Sequence, residues 1–170
     1  MIYPIVKFGN PVLEKPAETV TVFDAELQKL LDDMFESMYA AHGVGLAAPQ
    51  IGISKRIAVI DVTFKEDPDA KLVLINPEII HTEGKHTQSE GCLSIPDFRE
   101  NVTRPAKVTV RAQDAKGKVY EKTGEELLAR AFLHETDHLN GRLYLTHVSA
   151  LKRDLIRRKV RKLTKAGNWS

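Results

Sequence analysis

The pentapeptide HETDH, residues 134 to 138, brings two imidazoles and a carboxylate together at a spacing that can do chemistry. On a helix, His134 and His138 lie four residues apart on one face, so both rings can grip one ion. Glu135 stands beside the first ring and can take a proton from water at that ion. A zinc-type catalytic centre needs a third protein ligand and one open position. The downstream sequence does not supply that ligand. No glutamate follows Glu135, and in the longer pattern H-E-x-x-H-x-x-G-x-x-H Gly141 matches but Tyr144 stands where the third histidine belongs. Upstream, Cys92 is the single cysteine, inside SEGCLSIPD, whose glycine, proline and polar residues suit a loop at a site. A thiolate is strongly stabilised beside a divalent ion. Cys92, His134 and His138 therefore form a donor set with one position open. Asp137 is rotated away from the face of the two histidines and reads as a structural carboxylate.

A second segment, GVGLAAPQ at residues 43 to 50, places two glycines one residue apart. Glycines so spaced let backbone approach a ligand closely or take positive φ. The segment is no phosphate loop, because it lacks the third glycine and the Lys-Ser/Thr pair. Gln50 closes it with a neutral amide that can donate to developing negative charge without competing for a metal.

These residues need elements to position them. Asp24 caps a predicted helix over about 24–41, with Leu27, Leu30, Leu31, Met34 and Met38 at helical spacing and Gly43 as its stop. A second helix is predicted over about 125–140, with Thr123 and Glu126 as a capping box and Gly141 past its end. Leu127, Leu128, Ala131, Phe132 and Leu133 cover much of its circumference, which predicts a central, largely buried metal helix. A third runs over about 149–165. Between the first two, β-branched runs at 56–62, 72–76, 79–82, 108–113 and 119–122 read as strands, the last two joined as a hairpin by the turn 114–117. Terminal helices around clustered strands predict an α+β fold, mainly antiparallel sheet packed around the metal-binding helix.

At 170 residues, 42% hydrophobic and 28% charged, the chain is one ordinary domain that can bury a core. No apolar run is long enough for a membrane span, and the N-terminus lacks the pattern of a secretory signal. The lone cysteine fits a reducing cytoplasm. From Ser149 onward eight basic residues stand against one acid, a charge of +7, while the rest of the chain carries −5. Residues 1–148 thus read as a catalytic domain, and 149–170 as a basic C-terminal helix of the same domain or an appendage to it.

Taken together and in this order, the motifs resemble those of the bacterial peptide deformylases: G-x-G-x-A-A-P-Q at Gly43 to Gln50, E-G-C-L-S at Glu90 to Ser94, and H-E-x-D-H at His134 to His138. The match runs over essentially the whole chain and looks like the form common in Gram-negative bacteria and organelles. The resemblance implies hydrolysis of the formyl group from the formyl-methionine of nascent peptides, with release of formate. It implies one divalent ion on Cys92, His134 and His138, Fe2+ in the cell, with Zn2+, Ni2+ or Co2+ also accepted. Glu135 would move the proton. Gln50 and the backbone N–H of Leu93 would hold the oxyanion, with Gly45 at the same catalytic segment. Val44, Leu127, Ala131 and Arg99 would form the substrate pocket. Arg130 and Gln88 stand where the family often has apolar residues. The basic helix would dock the ribosome near its exit tunnel through phosphate contacts, with no sequence-specific reading of nucleic acid and no membrane partner, and the enzyme would act as a monomer. Two other readings of the same helix are a metallopeptidase, which the missing downstream ligand disfavours, and a non-catalytic metal module, in which Glu135 would have no task.

Overall fold

The computed structural model describes residues 1–169 and contains three long helices and seven strands: α1 (Ala25–Ala40), β1 (Gly45–Ala47), β2 (Ile57–Ile60), β3 (Leu72–Glu83), β4 (His86–Cys92), β5 (Ile95–Arg104), β6 (Lys107–Gln113), β7 (Val119–Glu125), α2 (Glu126–Leu139) and α3 (Ala150–Lys165). One antiparallel sheet has the order β1-β2-β3-β6-β7, and β4 with β5 forms a separate two-stranded hairpin. The predicted α+β architecture is present. Among the described residues, no helix is long and apolar enough to cross a membrane.

The period-two alternation of β2 distributes its side chains between two cores. Ala58 and Ile60 join Leu74, Val108, Val110, Ala129 and Phe132 in the layer between sheet and α2. Ile57 and Val59 face the other way, against Leu27, Leu31, Met34 and Met38 of α1. A third core holds Leu13, Ile95, Val102, Tyr144 and Leu145, and α3 closes it with Ile156 and Val160. Tyr144, at the position where the longer zinc motif would need histidine, is 1% exposed in this third core. Trp169 adds a tether, its Nε1 donating to the carbonyl of Phe8 at 2.8 Å.

Several local expectations are corrected. The two strands predicted at 72–76 and 79–82 are one strand, β3, which crosses irregularities between Ile75 and His81 without losing its partner β6. Asn76 takes positive φ there, and its side-chain amide donates to the Val20 carbonyl and Gln113 Oε1. The predicted capping box at α2 does not form. Thr123 lies in β7 and bonds Thr109 across the sheet at 2.8 Å, and Glu125 is the N-cap without a side-chain bond. After α1, His42 rather than Gly43 takes the left-handed conformation, at φ 58°. Glycine at 43 instead lets Leu93 lie close: a Cβ there would stand 2.7 Å from Leu93 Cδ1.

The segment around Cys92, which reads as loop in the sequence, is the hairpin β4–β5. Its strands read HTQSEGC and IPDFRENVTR, with little apolar alternation, so period alone does not reveal them. They are stabilised by pairing with each other and by the burial of Ile95, Val102, Glu90 and Arg104. Similarly, Gly45–Ala47 forms the edge strand β1, paired with β2 and followed by a 3-10 turn at Ala48–Ile51 that carries Gln50.

Candidate functional site

The face of α2 that carries His134 and His138 meets the end of β4 at Cys92. The three ligand atoms lie within 4.8 Å of one another. Cys92 Sγ is 3.3 Å from His138 Nε2, which is 3.2 Å from His134 Nε2. Donor separations of this size span a tetrahedral ion with bonds of about 2.0–2.3 Å. The chemistry of the donors fits as well. Glu90 Oε2 lies 2.7 Å from His134 Nδ1 and accepts a hydrogen bond from its N–H, which turns Nε2 towards the other donors. Burial works against charge on His134, yet Cys92 and Glu90 hold its pKa well above the ordinary histidine value. Burial and the facing His134 push His138 well below it. Two imidazole nitrogens and a sulfur converge at this point.

Glu135 is buried beside this cluster, 4% exposed, and its Oε1 has no hydrogen-bond partner. Burial pushes its pKa up to about 7. Gly45 is what allows the carboxylate to lie there: a Cβ at 45 would stand 2.5 Å from Glu135 Oε2. Gln50 is 1% exposed. Its Oε1 accepts from the Ala47 N–H at 3.0 Å, so the Nε2 amino group faces Ser94 Oγ at 3.2 Å and Cys92 Sγ at 3.6 Å. A cavity of about 580 Å³ opens on these groups, lined by Gly45, Gln50, Cys92, Leu93, His134 and Glu135. Val44, Leu127, Ala131 and Arg99 also line it. His138 alone of the predicted site residues lies behind the cavity wall, 1% exposed. Leu127, expected in a buried helix face, is 45% exposed at the cavity.

Arg104 and its role are invisible from spacing. It donates to Glu90 through Nε at 3.0 Å and Nη2 at 2.6 Å, and through Nη1 to Asp137 at 2.8 Å. Asp137 also meets His147 at 2.9 Å, which makes it a structural carboxylate, as its helical position indicated. Arg130 adds a bond to Glu90 Oε1 at 2.8 Å. Burial raises the Glu90 carboxyl, but His134 and Arg104 outweigh it and hold the group far below the usual carboxylate range. Glu90 is therefore a permanent anion that orients His134. The only sequence signal is a glutamate two residues before the cysteine, which alternation in a strand would put on the same side.

A Cys/His/His donor set beside a buried glutamate at the foot of a cleft is the site of a mononuclear metallohydrolase. The family model described as polypeptide deformylase matches residues 2–154. A peptide deformylase of Acidobacterium capsulatum is 64% identical over 169 residues, covering 99% of each chain. The crystal structure of a peptide deformylase from Legionella pneumophila superimposes with a TM-score of 0.91 at 45% identity, over 100% of this chain and 99% of that one. That from Thermotoga maritima is 42% identical, with a TM-score of 0.82, over 88% of this chain and 99% of the other. The chain belongs to the polypeptide deformylase family. It is a metal-dependent hydrolase that removes the N-formyl group from nascent peptides.

Proposed function

We propose that Cys92, His134 and His138 hold one divalent ion and that Glu135, Gln50 and the Leu93 backbone N–H act on the formyl group of a peptide in the adjoining cavity. The observation that carries this reading is the convergence of three ligand atoms within 4.8 Å beside a buried carboxylate oxygen without a partner. When bound, the ion supplies Lewis acidity to the water and to the formyl oxygen. Glu135 takes the proton of the attacking water at Oε1 and passes it to the amine nitrogen as the C–N bond breaks. The Gln50 Nε2–H and the Leu93 N–H donate to the formyl oxygen as it gains charge. Gly45 keeps the space in which the carboxylate moves the proton, and Glu90 holds His134 in one orientation. Val44, Leu127 and Ala131 receive the first side chain, and Arg99 stands at the rim of the same cavity. The working ion is Fe2+, with Zn2+, Ni2+ and Co2+ as substitutes that a mixed sulfur and nitrogen donor set also accepts.

The enzyme acts as a cytoplasmic monomer. Residues 149–169 belong to the catalytic body through Ile156 and Val160, and their exposed basic side chains dock the ribosome near the exit tunnel by phosphate contacts. The charge of +7 from Ser149 onward supports that docking. Formate release from formyl-Met-Ala by the Fe2+-loaded protein tests the reaction. Cys92→Ser should lose most of its metal, because a hydroxyl is no thiolate at neutral pH. A Cys92→Ser protein with a full equivalent of metal and full activity would remove Cys92 from the site.

A further inference from the structure

One wall of the cavity carries a charged donor that the protein itself does not satisfy. Arg130 is 6% exposed and lines the cavity. Its Nη1 donates to Glu90 and its Nη2 to the His86 carbonyl at 2.9 Å, but its Nε is buried with no hydrogen-bond partner. A buried unpaired donor is costly, and an acceptor brought by a ligand removes that cost. Gln88 lines the same cavity. In β4 the residues His86, Gln88 and Glu90 share one side of the strand. The guanidinium is bonded to the His86 carbonyl and to the Glu90 carboxylate, two residues before and two after Gln88. Val44, Leu127 and Ala131 make the remaining wall apolar. Holding Glu90 and the His86 carbonyl accounts for both Nη bonds of Arg130, but neither for its unpaired Nε nor for the Gln88 amide in this wall.

We propose that this pocket takes a first side chain of methionine's length bearing a hydrogen-bond-accepting oxygen, so that the enzyme deformylates peptides beginning with formyl-methionine sulfoxide as well as formyl-methionine. Arg130 and Gln88 are its specificity-determining residues. A thioether sulfur is only a weak acceptor, whereas a sulfoxide is polar and offers an oxygen to the Arg130 Nε–H and the Gln88 amide. The chemical step is unchanged: water cleaves the formyl C–N bond to give formate and the free amine, and the sulfoxide is neither oxidised nor reduced. The inference rests on the deformylase reading of the cavity.

The test is formate release by the metal-loaded full chain from three peptides: formyl-Met-Ala-Ser, its methionine sulfoxide counterpart, and its norleucine counterpart, in which a methylene replaces the sulfur. The sulfoxide peptide should reach a kcat/KM within about fivefold of the methionine peptide, whereas a wholly apolar pocket discriminates by about 10²-fold. In Gln88→Ile, and in Arg130→Lys, which keeps a charge opposite Glu90, the ratio of sulfoxide to norleucine kcat/KM should fall by about tenfold. Reading the ratio cancels any general loss of activity in the variant. Rejection of the sulfoxide peptide by about 10²-fold in the wild type, with normal turnover of formyl-methionine, overturns this inference alone. An unchanged ratio in both variants also overturns it. Absence of formate from the methionine peptide overturns the deformylase reading and this inference with it.

Discussion

Arginines in two regions of this protein do different work. Arg104 and Arg130 lie where the β4–β5 hairpin meets α2, with side chains 3% and 7% exposed, and both are paired with Glu90. Arg157, Arg158 and Arg161 lie on α3 and are exposed. The buried pair cannot lose its anion without leaving charge in a dry interior, so it holds Glu90, and through it His134, in one geometry. The exposed set has water as an equal partner and adds little to the fold. Charge is a positioning device in the first region and a solvated face in the second.

The contrast is broken most severely at the site itself. Glu135→Gln should retain a full equivalent of metal but lose about 10²–10⁴ in kcat/KM, because the ligands are intact and the proton acceptor is gone. Formate assays on metal-quantified protein check this, and near-normal turnover would remove Glu135 from the mechanism. Glu90→Gln should destabilise the fold by about 3–5 kcal/mol in denaturant unfolding, since Arg104 and Arg130 lose their anion. It should also weaken metal binding by about 10–100-fold in a chelator competition, because His134 loses its orienting carboxylate. A variant as stable as wild type would erase the distinction between the two regions.

On α3 the buried face should matter where the charged one does not. Ile156 is 4% exposed in the third core, and Ile156→Ala should cost about 2–4 kcal/mol. A third kind of buried charge sharpens the comparison. Burial raises the Asp61 carboxyl, but the hydroxyls of Tyr39 and Thr63 and the N–H groups of Lys65 and Thr63 hold it down at about 2, against 3.8 for the free group. The folded state therefore binds this proton more weakly than the unfolded state. Its stabilisation is complete above about pH 4 and disappears as pH falls towards 2. Acid unfolding of Asp61→Asn should lack that step, and identical acid profiles would refute the assignment. The smallest effect on the fold belongs to the exposed basic face. Lys159→Glu with Lys162→Glu should change stability by no more than about 0.5 kcal/mol. The same pair should weaken ribosome binding strongly at low salt and little at high salt, as counted in a co-sedimentation series. Salt-independent binding would show that charge does not dock this helix.

Much of the site is legible in the sequence because its signals are local. The spacing of His134 and His138 needs only a helix, and α2 is that helix. Cys92 follows from the lack of a downstream ligand and from its flanks. Asp24 is a readable cap because an N-cap bond closes within three residues, to Leu27. Thr123 misleads for the same reason: it has the spacing of a cap, but cross-strand pairing with Thr109 decides its place. The hairpin that presents Cys92 escapes a periodicity reading because its strands are polar on most positions, and their stability comes from partners distant in the chain.

By itself the sequence determined the metal helix, the identity of the three donors, the glutamate beside them, the capped end of α1, and the basic face of α3. Each depends on residue types a few positions apart, and the helical period turns such spacings into geometry. Only the tertiary structure decided that Arg104, from β5, holds Glu90 and Asp137 at once. It alone showed that Gly45 is glycine because Glu135 leans over it, and that Arg130 keeps a donor unpaired in the cavity wall. Those facts belong to contacts between segments far apart in the chain. Packing sets their distances, and no spacing along the sequence encodes them.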